Sequence, residues 1–224
     1  MMKRMLGTVV FVAVALSYGA SSLAQEPVNL DFRKHDVIRY HDSGAYDYDI
    51  HREITQARVY LEQRVAENAR GSDKGKLALV LDIDETSLSN WASLTQLGFG
   101  GMPETIADRI DLGTDPAIPA TLGLYRYAMS LGVPVFFITG RHERLRPATE
   151  KNLRDVGYER WAALYMKPND YDKKSVIPFK SGARKAIEAK GYTIIVNAGD
   201  QYSDLAGGYS ERVFKLPDPF YYIP

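Results

Sequence analysis

An apolar run that starts at Leu77 ends in two carboxylates, Asp82 and Asp84, with a single residue between them. An uninterrupted run of this kind is typical of a strand that is buried on both faces of a parallel sheet. Ligands of such sheets bind beyond the carboxyl ends of the strands, so we expect both aspartates in one crevice. Two carboxylates this close stay ionised together only beside a cation, and carboxylate oxygens favour Mg²⁺. The run therefore predicts a central parallel strand with metal and acid/base chemistry at its end.

Apolar runs and helical patterns alternate along the rest of the chain. Four further runs resemble the first and are predicted strands, at 133–139, 162–166, 193–198 and 213–216. Apolar residues at helical spacing, each pattern followed by a glycine, predict helices at 46–70, 119–131, 147–156 and 182–190. Strands that alternate with helices in this way indicate an α/β fold, a doubly wound parallel sheet with helices on both faces.

The first 24 residues have the pattern of a secretory signal peptide. Lys3 and Arg4 precede an apolar stretch at about 5–16, and small residues lead to Ala24. The apolar stretch is shorter than the roughly 18 residues expected of a spanning helix, so an uncleaved anchor is the weaker alternative. We therefore expect a mature chain that starts at Gln25, is periplasmic or secreted, and has no stable membrane anchor.

The remaining residues, 25–224, are predicted to form one domain, because no repeat or linker divides them. The chain has 28 acidic and 28 basic residues, and two of the basic ones fall in the predicted leader, which leaves a net charge of about −2. This balance gives no electrostatic reason to expect nucleic acid or an anionic membrane as partner, so a small molecule is expected. The chain has no cysteine, which excludes a thiol nucleophile, and its four histidines lack the spacing of a zinc site.

The interval after the acidic strand end is too long for a simple crossover. It mixes Trp91 and other apolar residues with several glycines and shows no clean period. Insertions at the mouth of a site commonly act as lids or specificity elements, so we predict a small cap at about 87–116. Trp91 is a candidate for stacking on an aromatic substrate, and packing of the cap onto the domain is the alternative.

Three further features fall at the ends of later predicted strands. Thr139 offers a hydroxyl and Gly140 a backbone N–H that suits a phosphate oxygen. Lys180 stands just before the helix predicted at 182–190, where its ammonium could reach a phosphate near the helix's positive end. Asp200 and Asp204 supply another metal ligand and a supporting carboxylate. The parallel sheet would bring all of these beside Asp82.

The motifs that result are D-I-D-E-T at 82–86, I-T-G-R at 138–141, F-K-S at 179–181 and G-D-Q-Y-S-D at 199–204. This set resembles the haloacid dehalogenase (HAD) superfamily, and more closely its subfamily IIIB acid phosphatases. That group includes plant vegetative-storage-type phosphatases and secreted bacterial acid phosphatases. The resemblance extends to the tail at 214–223 and covers nearly all of the mature chain. One bacterial branch differs, because it carries D-D-T where this chain has Asp84-Glu85-Thr86.

The resemblance implies a role for each of these residues. Asp82 would attack phosphorus and form an aspartyl-phosphate, which is covalent catalysis by a carboxylate. Asp84 would protonate the departing alcohol and then activate the water that releases phosphate. Mg²⁺ would be held by Asp82, Asp200 and the backbone carbonyl of Asp84. The phosphoryl group would be held by Thr139, Gly140 and Lys180. Asp204 would support the metal site or Lys180.

The predicted function is therefore that of an exported, Mg²⁺-dependent acid phosphatase that hydrolyses phosphate monoesters. A phosphotransferase that uses the same intermediate is one alternative. A non-catalytic storage or binding protein on the same fold is another, and the intact Asp82 weighs against it. For Arg141, two interpretations stay open: it orients the loop or touches substrate, or it forms a purely structural ion pair.

Overall fold

A computed structural model describes residues 26–72 and 74–224 of the chain. The predicted signal peptide at 1–24 and the predicted start of the mature chain at Gln25 lie outside the described residues. Within the part that is described, no helix combines the length and apolar character that crossing a membrane requires.

Five strands form one parallel sheet, which confirms the predicted fold class. They are β1 (Lys76–Leu81), β2 (Val135–His142), β3 (Ala163–Lys167), β4 (Tyr192–Gly199) and β5 (Arg212–Lys215). Their order across the sheet is β3-β2-β1-β4-β5, and every neighbouring pair is parallel. β1, which directly precedes Asp82 and Asp84, is therefore the central strand, as its apolar sequence predicts.

Helices connect and cover these strands. In the described residues they are α1 (Leu30–Asp42), α2 (Ala45–Arg70), α3 (Trp91–Gln96), α4 (Pro103–Asp111), α5 (Pro119–Ser130), α6 (Arg146–Asp155), α7 (Ile177–Glu188) and α8 (Tyr202–Leu205), with a 3₁₀ turn at Glu143–Leu145. Helices α2, α5 and α6 agree with the predicted helices to within one residue at each end.

The start of α7 is a correction to the sequence analysis. The helix begins at Ile177, five residues before the predicted start at Gly182, and Pro178 occupies its first turn. Proline is favourable there because the first N–H groups of a helix have no intrahelical partner. Lys180 therefore lies inside the first turn of α7 and not in front of the helix. Gly182 was a misleading boundary, because this glycine is an interior residue of the helix.

The two faces of the sheet pack into separate apolar clusters. Leu79 and Leu81 of β1 point to the side covered by α2 and α5, whereas Ala78 and Val80 point to the side covered by α7. Ile187 of α7 is fully buried on this second side. Each large aliphatic side chain buried in this way contributes roughly 1.5–3 kcal/mol, which holds the central strand in place from both faces.

The carboxyl ends of β1, β2 and β4 meet at one edge of the sheet. Leu81 is in register with Phe137 of β2 and with Ala198 of β4. The pairing continues one residue further, because the N–H of Asp82 donates to the carbonyl of Ala198 at 3.0 Å. The residues that follow these three strands are thus neighbours in space, which is the condition for a shared site.

The interval between β1 and α5 leaves and re-enters the domain at a single place. Its two ends are joined by backbone hydrogen bonds, from Ser89 N to Pro116 O at 2.9 Å and from Ile118 N to Ser87 O at 3.0 Å. Helices α3 and α4 lie between these ends. The predicted cap boundaries at 87–116 coincide with this closure, and its action as a cap stays a prediction.

Candidate active site

The chain turns sharply after β1 and buries the first aspartate. The carbonyl of Ile83 accepts from the N–H groups of Ser87 and Leu88, both at 2.8 Å, and Glu85 adopts a left-handed backbone with φ 49°. Ser87 Oγ also donates to the Asp82 carbonyl at 2.6 Å. This tight loop leaves Asp82 only 5% exposed and Asp84 half-buried, and both residues line the same cavity.

Lys180 reaches this loop from the first turn of α7. Its Nζ donates to Asp82 Oδ1 at 2.7 Å and also contacts Asp204 Oδ1. The side chain is buried, which disfavours its charge, but the two carboxylates outweigh this effect and raise the pKa of Lys180. The lysine is therefore a fixed positive charge between Asp82, which follows β1, and Asp204 of α8.

Three buried carboxylates converge beside this single ammonium. Asp82, Asp200 and Asp204 each offer an oxygen within 4.8 Å of the others. Burial and the charges of Asp204 and Asp82 raise the pKa of Asp200 well above its ordinary value. One lysine does not balance three negative charges, so the cluster fits a hard divalent cation with oxygen ligands.

The two later aspartates are also held by neighbouring groups. Asp200 accepts hydrogen bonds from Thr86 Oγ1 at 3.1 Å and from Gln201 Nε2 at 2.7 Å. Asp204 uses one oxygen for Lys180 and the other for the N–H of Gln201, at 2.8 Å. Asp204 therefore contacts Lys180 directly, and its supporting role stays a prediction.

The second aspartate of the first motif pairs with Arg141. Arg141 contacts Asp84 Oδ1 through Nε at 3.0 Å and through Nη2 at 2.8 Å, and Asn90 Nδ2 donates to the same oxygen at 2.8 Å. Burial tends to raise the pKa of Asp84, but the guanidinium and the amide outweigh it and lower that pKa. Arg141 thus forms a buried ion pair with Asp84 and also lines the cavity, so both interpretations of this residue stay open.

Thr139 and Gly140 lie where β2 reaches the same edge of the sheet. The Thr139 side chain is fully buried, and its Oγ1 accepts from the N–H of Arg141 at 3.1 Å. Gly140 lines the cavity, and no other residue lies within 4 Å of where its Cβ would be. The structure thus brings Asp82, Asp84, Gly140, Lys180 and Asp200 to one cavity, with Thr139 directly behind the loop.

Trp91 is not among the residues that line this cavity, and neither are Thr139 and Asp204. Its indole stacks on His41 of α1, with ring centroids 3.6 Å apart and planes 10° apart. It also packs against Phe99 and Phe220. Of the two interpretations of this tryptophan, the geometry favours packing of the 87–116 interval onto the domain.

Sequence analysis missed a group of residues that supports the loop after β1. Glu85 is fully buried and accepts from Asn90 N at 2.6 Å and from Tyr221 Oη at 2.8 Å. Burial and the charge of Asp84 raise the pKa of Glu85 to about 8. Glu85 and Tyr221 are far apart in sequence, so only the similarity of the tail to the family pattern could have indicated this contact.

Gly199 is the one position where close packing of the site requires a glycine. A Cβ at Gly199 would lie 2.3 Å from the Cβ of Asp204, which no rearrangement of a flexible side-chain end can relieve. We expect Gly199→Ala to lower the free energy of unfolding by about 1–3 kcal/mol through this overlap. Urea unfolding of the purified variant measures the change.

Gly182→Ala is the matched control, because a Cβ at Gly182 meets no atom within 4 Å and alanine favours a helix interior. It should raise the free energy of unfolding by about 0.5–1 kcal/mol. Equal stability of the Gly199→Ala and Gly182→Ala proteins would contradict the close approach of Asp204.

The cavity that contains the site has a volume of ≈ 680 Å³. One end holds the carboxylates Asp82, Asp84 and Asp200. The other end is formed by α3, α4 and the segment between them. A cavity of this size accommodates a small organic molecule in addition to a phosphate group.

A family model matches residues 12–224, and its description is HAD superfamily, subfamily IIIB (Acid phosphatase). Acid phosphatase 1 of Solanum lycopersicum is 36% identical over 191 residues, which cover 84% of this chain and 73% of that protein. Vegetative storage protein 1 of Arabidopsis thaliana is 36% identical over 149 residues, or 65% of this chain and 55% of its own length.

Among solved structures, the class C acid phosphatase from Bacillus anthracis is similar, with a TM-score of 0.69 over 86% of each chain. Its sequence is 23% identical, so this likeness concerns the fold.

Proposed function

Since this chain belongs to the subfamily IIIB acid phosphatases of the HAD superfamily, which are phosphomonoester hydrolases, we propose that it cleaves phosphate monoesters through a phosphoryl group carried on Asp82. The observation that carries the proposal is the contact of Asp82 with Lys180, at the closed end of a cavity that is large enough for a small phosphate ester. A small-molecule phosphate is the substrate class that the family implies.

In the first half-reaction, a carboxylate oxygen of Asp82 forms a bond to phosphorus as the bond from phosphorus to the alcohol oxygen breaks. Lys180 Nζ holds Asp82 Oδ1, and among the described residues Asp82 Oδ2 has no hydrogen bond. We assign Oδ2 as the attacking atom. The departing alcohol oxygen takes a proton from Asp84.

In the second half-reaction, Asp84 takes a proton from water, and the water oxygen bonds to phosphorus as the bond to Asp82 breaks. The ion pair with Arg141 lowers the pKa of Asp84 and suits this base step. The acid step needs a bound proton. A phosphate dianion that approaches Asp84 would raise its pKa, because like charges favour the neutral form of the carboxyl group.

We further propose that the divalent cation which the carboxylate cluster fits is Mg²⁺, held by Asp82, Asp200 and the carbonyl of Asp84. When bound, it would neutralise part of the repulsion between the carboxylates and an incoming phosphate. Lys180 and the N–H of Gly140 would orient the phosphoryl oxygens, with the Thr139 hydroxyl beside them. Asp204 would keep the lysine in position through its contact with Nζ.

The direct test is phosphate release from p-nitrophenyl phosphate by the purified protein, with Mg²⁺ and after treatment with EDTA. Release that EDTA abolishes and Mg²⁺ restores would support both the reaction and the metal. Release that persists in EDTA would contradict the metal requirement. No release from folded protein between acidic and neutral pH would contradict a hydrolase of broad specificity.

Two alternatives are kept as outcomes of this test. Two similar proteins carry the name of a vegetative storage protein, and a folded but inactive protein would favour that function here. The intact contact of Asp82 with Lys180 argues against it. For a phosphotransferase, added glycerol would lower free phosphate relative to released alcohol, whereas for a hydrolase the two products stay equal.

We also propose that the protein is exported and that its mature chain begins at Gln25. Expression of the full chain in a bacterial host followed by N-terminal sequencing of the periplasmic fraction tests this. A mature protein that keeps Met1, or that stays with the membrane fraction, would contradict cleavage after Ala24.

The role of Asp84 predicts a dependence on the leaving group. Asp84→Asn cannot protonate the departing oxygen, so we expect kcat/KM for an alkyl phosphate to fall on the order of 100-fold or more. The loss should be smaller for p-nitrophenyl phosphate, because nitrophenolate departs without a proton. Steady-state kinetics with both esters measure the difference.

A proportional loss for both esters would contradict acid catalysis by Asp84 and would leave it a structural partner of Arg141. Asp115→Asn is the matched control, because Asp115 also contacts Arg141, at 3.5 Å, but does not line the cavity. We expect this variant to show no preference between the two leaving groups.

A further inference from the structure

The wall of the cavity opposite the carboxylates is aliphatic. It is formed by Leu94 of α3, Leu97 and Phe99 of the following segment, and Ile106 and Ile110 of α4. The Ile106 side chain is 43% exposed although it faces a concavity. Apolar surface in a concave site is where a ligand gains the most by excluding water.

The backbone holds part of this wall in an uncommon conformation. Phe99 is left-handed, with φ 57°, directly after Gly98, which has φ 59°. The N–H of Phe99 donates to the carbonyl of Leu94 at 2.8 Å, so the turn is closed. A non-glycine residue in this conformation is strained and is found mainly where surrounding contacts or function require it. The wall is thus a formed surface.

The aromatic rings near the wall are already occupied by one another. Trp91 stacks on His41, and Phe99 packs against both Trp91 and Phe220. The other four residues of the wall are leucine and isoleucine, which favour a flexible alkyl group and offer no ring face for stacking.

Two basic residues of the cavity, Arg144 and Lys167, lie toward its other end. Arg144 follows β2 and Lys167 ends β3, so both stand at the sheet edge that carries Asp82. Both would attract the phosphate dianion. On α4, the negative charge of Glu104 offsets the positive charge of Arg109. The cavity therefore has basic and acidic side chains where the phosphate reacts, and mainly aliphatic side chains where the alcohol must lie.

We infer that the preferred substrates are phosphate monoesters of apolar aliphatic alcohols, with the alkyl chain against Leu94, Leu97 and Ile106. The inference rests on the proposed phosphatase function and adds the class of the alcohol. The alkyl chain takes the place of water at the aliphatic wall, while the phosphorus stays at Asp82.

The test is a series of n-alkyl phosphates from methyl to hexyl, whose alcohols have nearly the same leaving ability. Each buried methylene contributes about 0.8 kcal/mol, so kcat/KM should rise up to about fourfold for each added carbon while the wall is being covered. Benzyl phosphate, with one carbon more than hexyl, should be a poorer substrate than hexyl phosphate. Glycerol phosphate should be poorer than propyl phosphate.

Ile106→Ser tests the wall itself. It should lower kcat/KM for hexyl phosphate about tenfold, because part of an isoleucine contact of about 1.5–3 kcal/mol is lost, and lower kcat/KM for methyl phosphate much less. Leu112→Ser is the matched control, because Leu112 follows α4, is 60% exposed and does not line the cavity. It should leave both esters unchanged.

Turnover of methyl phosphate with no increase along the series would overturn the inference and leave the phosphatase function intact. A higher kcat/KM for benzyl phosphate than for hexyl phosphate, or equal effects of Ile106→Ser and Leu112→Ser on hexyl phosphate, would overturn it as well. Absence of turnover for every ester, including p-nitrophenyl phosphate, would instead overturn the proposed function on which the inference rests.

Discussion

We expect Asp82→Asn to lower kcat by a factor on the order of 10⁴ or more, because the amide of the proposed nucleophile could not attack phosphorus and no covalent phosphoryl group could form. The variant keeps the shape of the side chain and its place at the end of β1. Phosphate release at saturating Mg²⁺ measures the loss. Rapid acid quenching with radiolabelled substrate should trap protein-bound phosphate in the parent protein and none in the variant.

The same substitution should leave the fold intact when no metal is present. Burial and the charge of Asp204 raise the pKa of Asp82, so at neutral pH its ionised form is unfavourable in the metal-free protein. An amide removes that charge, and we expect an equal or higher free energy of unfolding. Asp155→Asn, at an exposed position at the end of α6, should change neither activity nor stability. Asp82→Asn with normal turnover would contradict the proposed nucleophile.

The strand pattern was predictable because it depends on local composition. Each buried strand is an apolar run that is followed by polar residues, and a parallel sheet places these polar residues at one edge. The convergence of Asp82, Asp84 and Asp200 on one cavity could therefore be predicted from their positions after the strands. Helix α1 was not predicted, since none of its residues is buried and its apolar residues have no clear helical period.

Contacts between distant residues could not be predicted in the same way. The partner of Arg141 is Asp84, 57 positions earlier, and the partner of Glu85 is Tyr221, 136 positions later. No periodicity relates such pairs, because their meeting depends on how the loops fold over the sheet. Trp91 illustrates the same limit. The sequence left open whether its ring stacks on a substrate or packs onto the domain, and its stacking on His41 of α1 favours packing.

Lys180→Ala should remove both activity and a large part of the stability. Lys180 is 4% exposed and is the cation that contacts Asp82 and Asp204. Its loss leaves two buried carboxylates without their partner, at a cost of about 3–5 kcal/mol in the free energy of unfolding. We expect kcat to fall on the order of 1,000-fold, as when a group that stabilises developing charge is removed. Urea unfolding and phosphate release measure the two effects.

Lys173→Ala and Lys174→Ala are the matched controls, because both lysines are exposed in the loop before α7 and should tolerate alanine. The double variant Lys180→Met with Asp204→Asn separates the two roles of the lysine. It removes the unpaired charge of Asp204 and should regain most of the lost stability, whereas activity should stay low because no ammonium faces the phosphoryl group. Recovery of activity together with stability would mean that Lys180 only holds the fold. Loss of activity in Lys173→Ala or Lys174→Ala, with Lys180→Ala active, would overturn the assignment of Lys180.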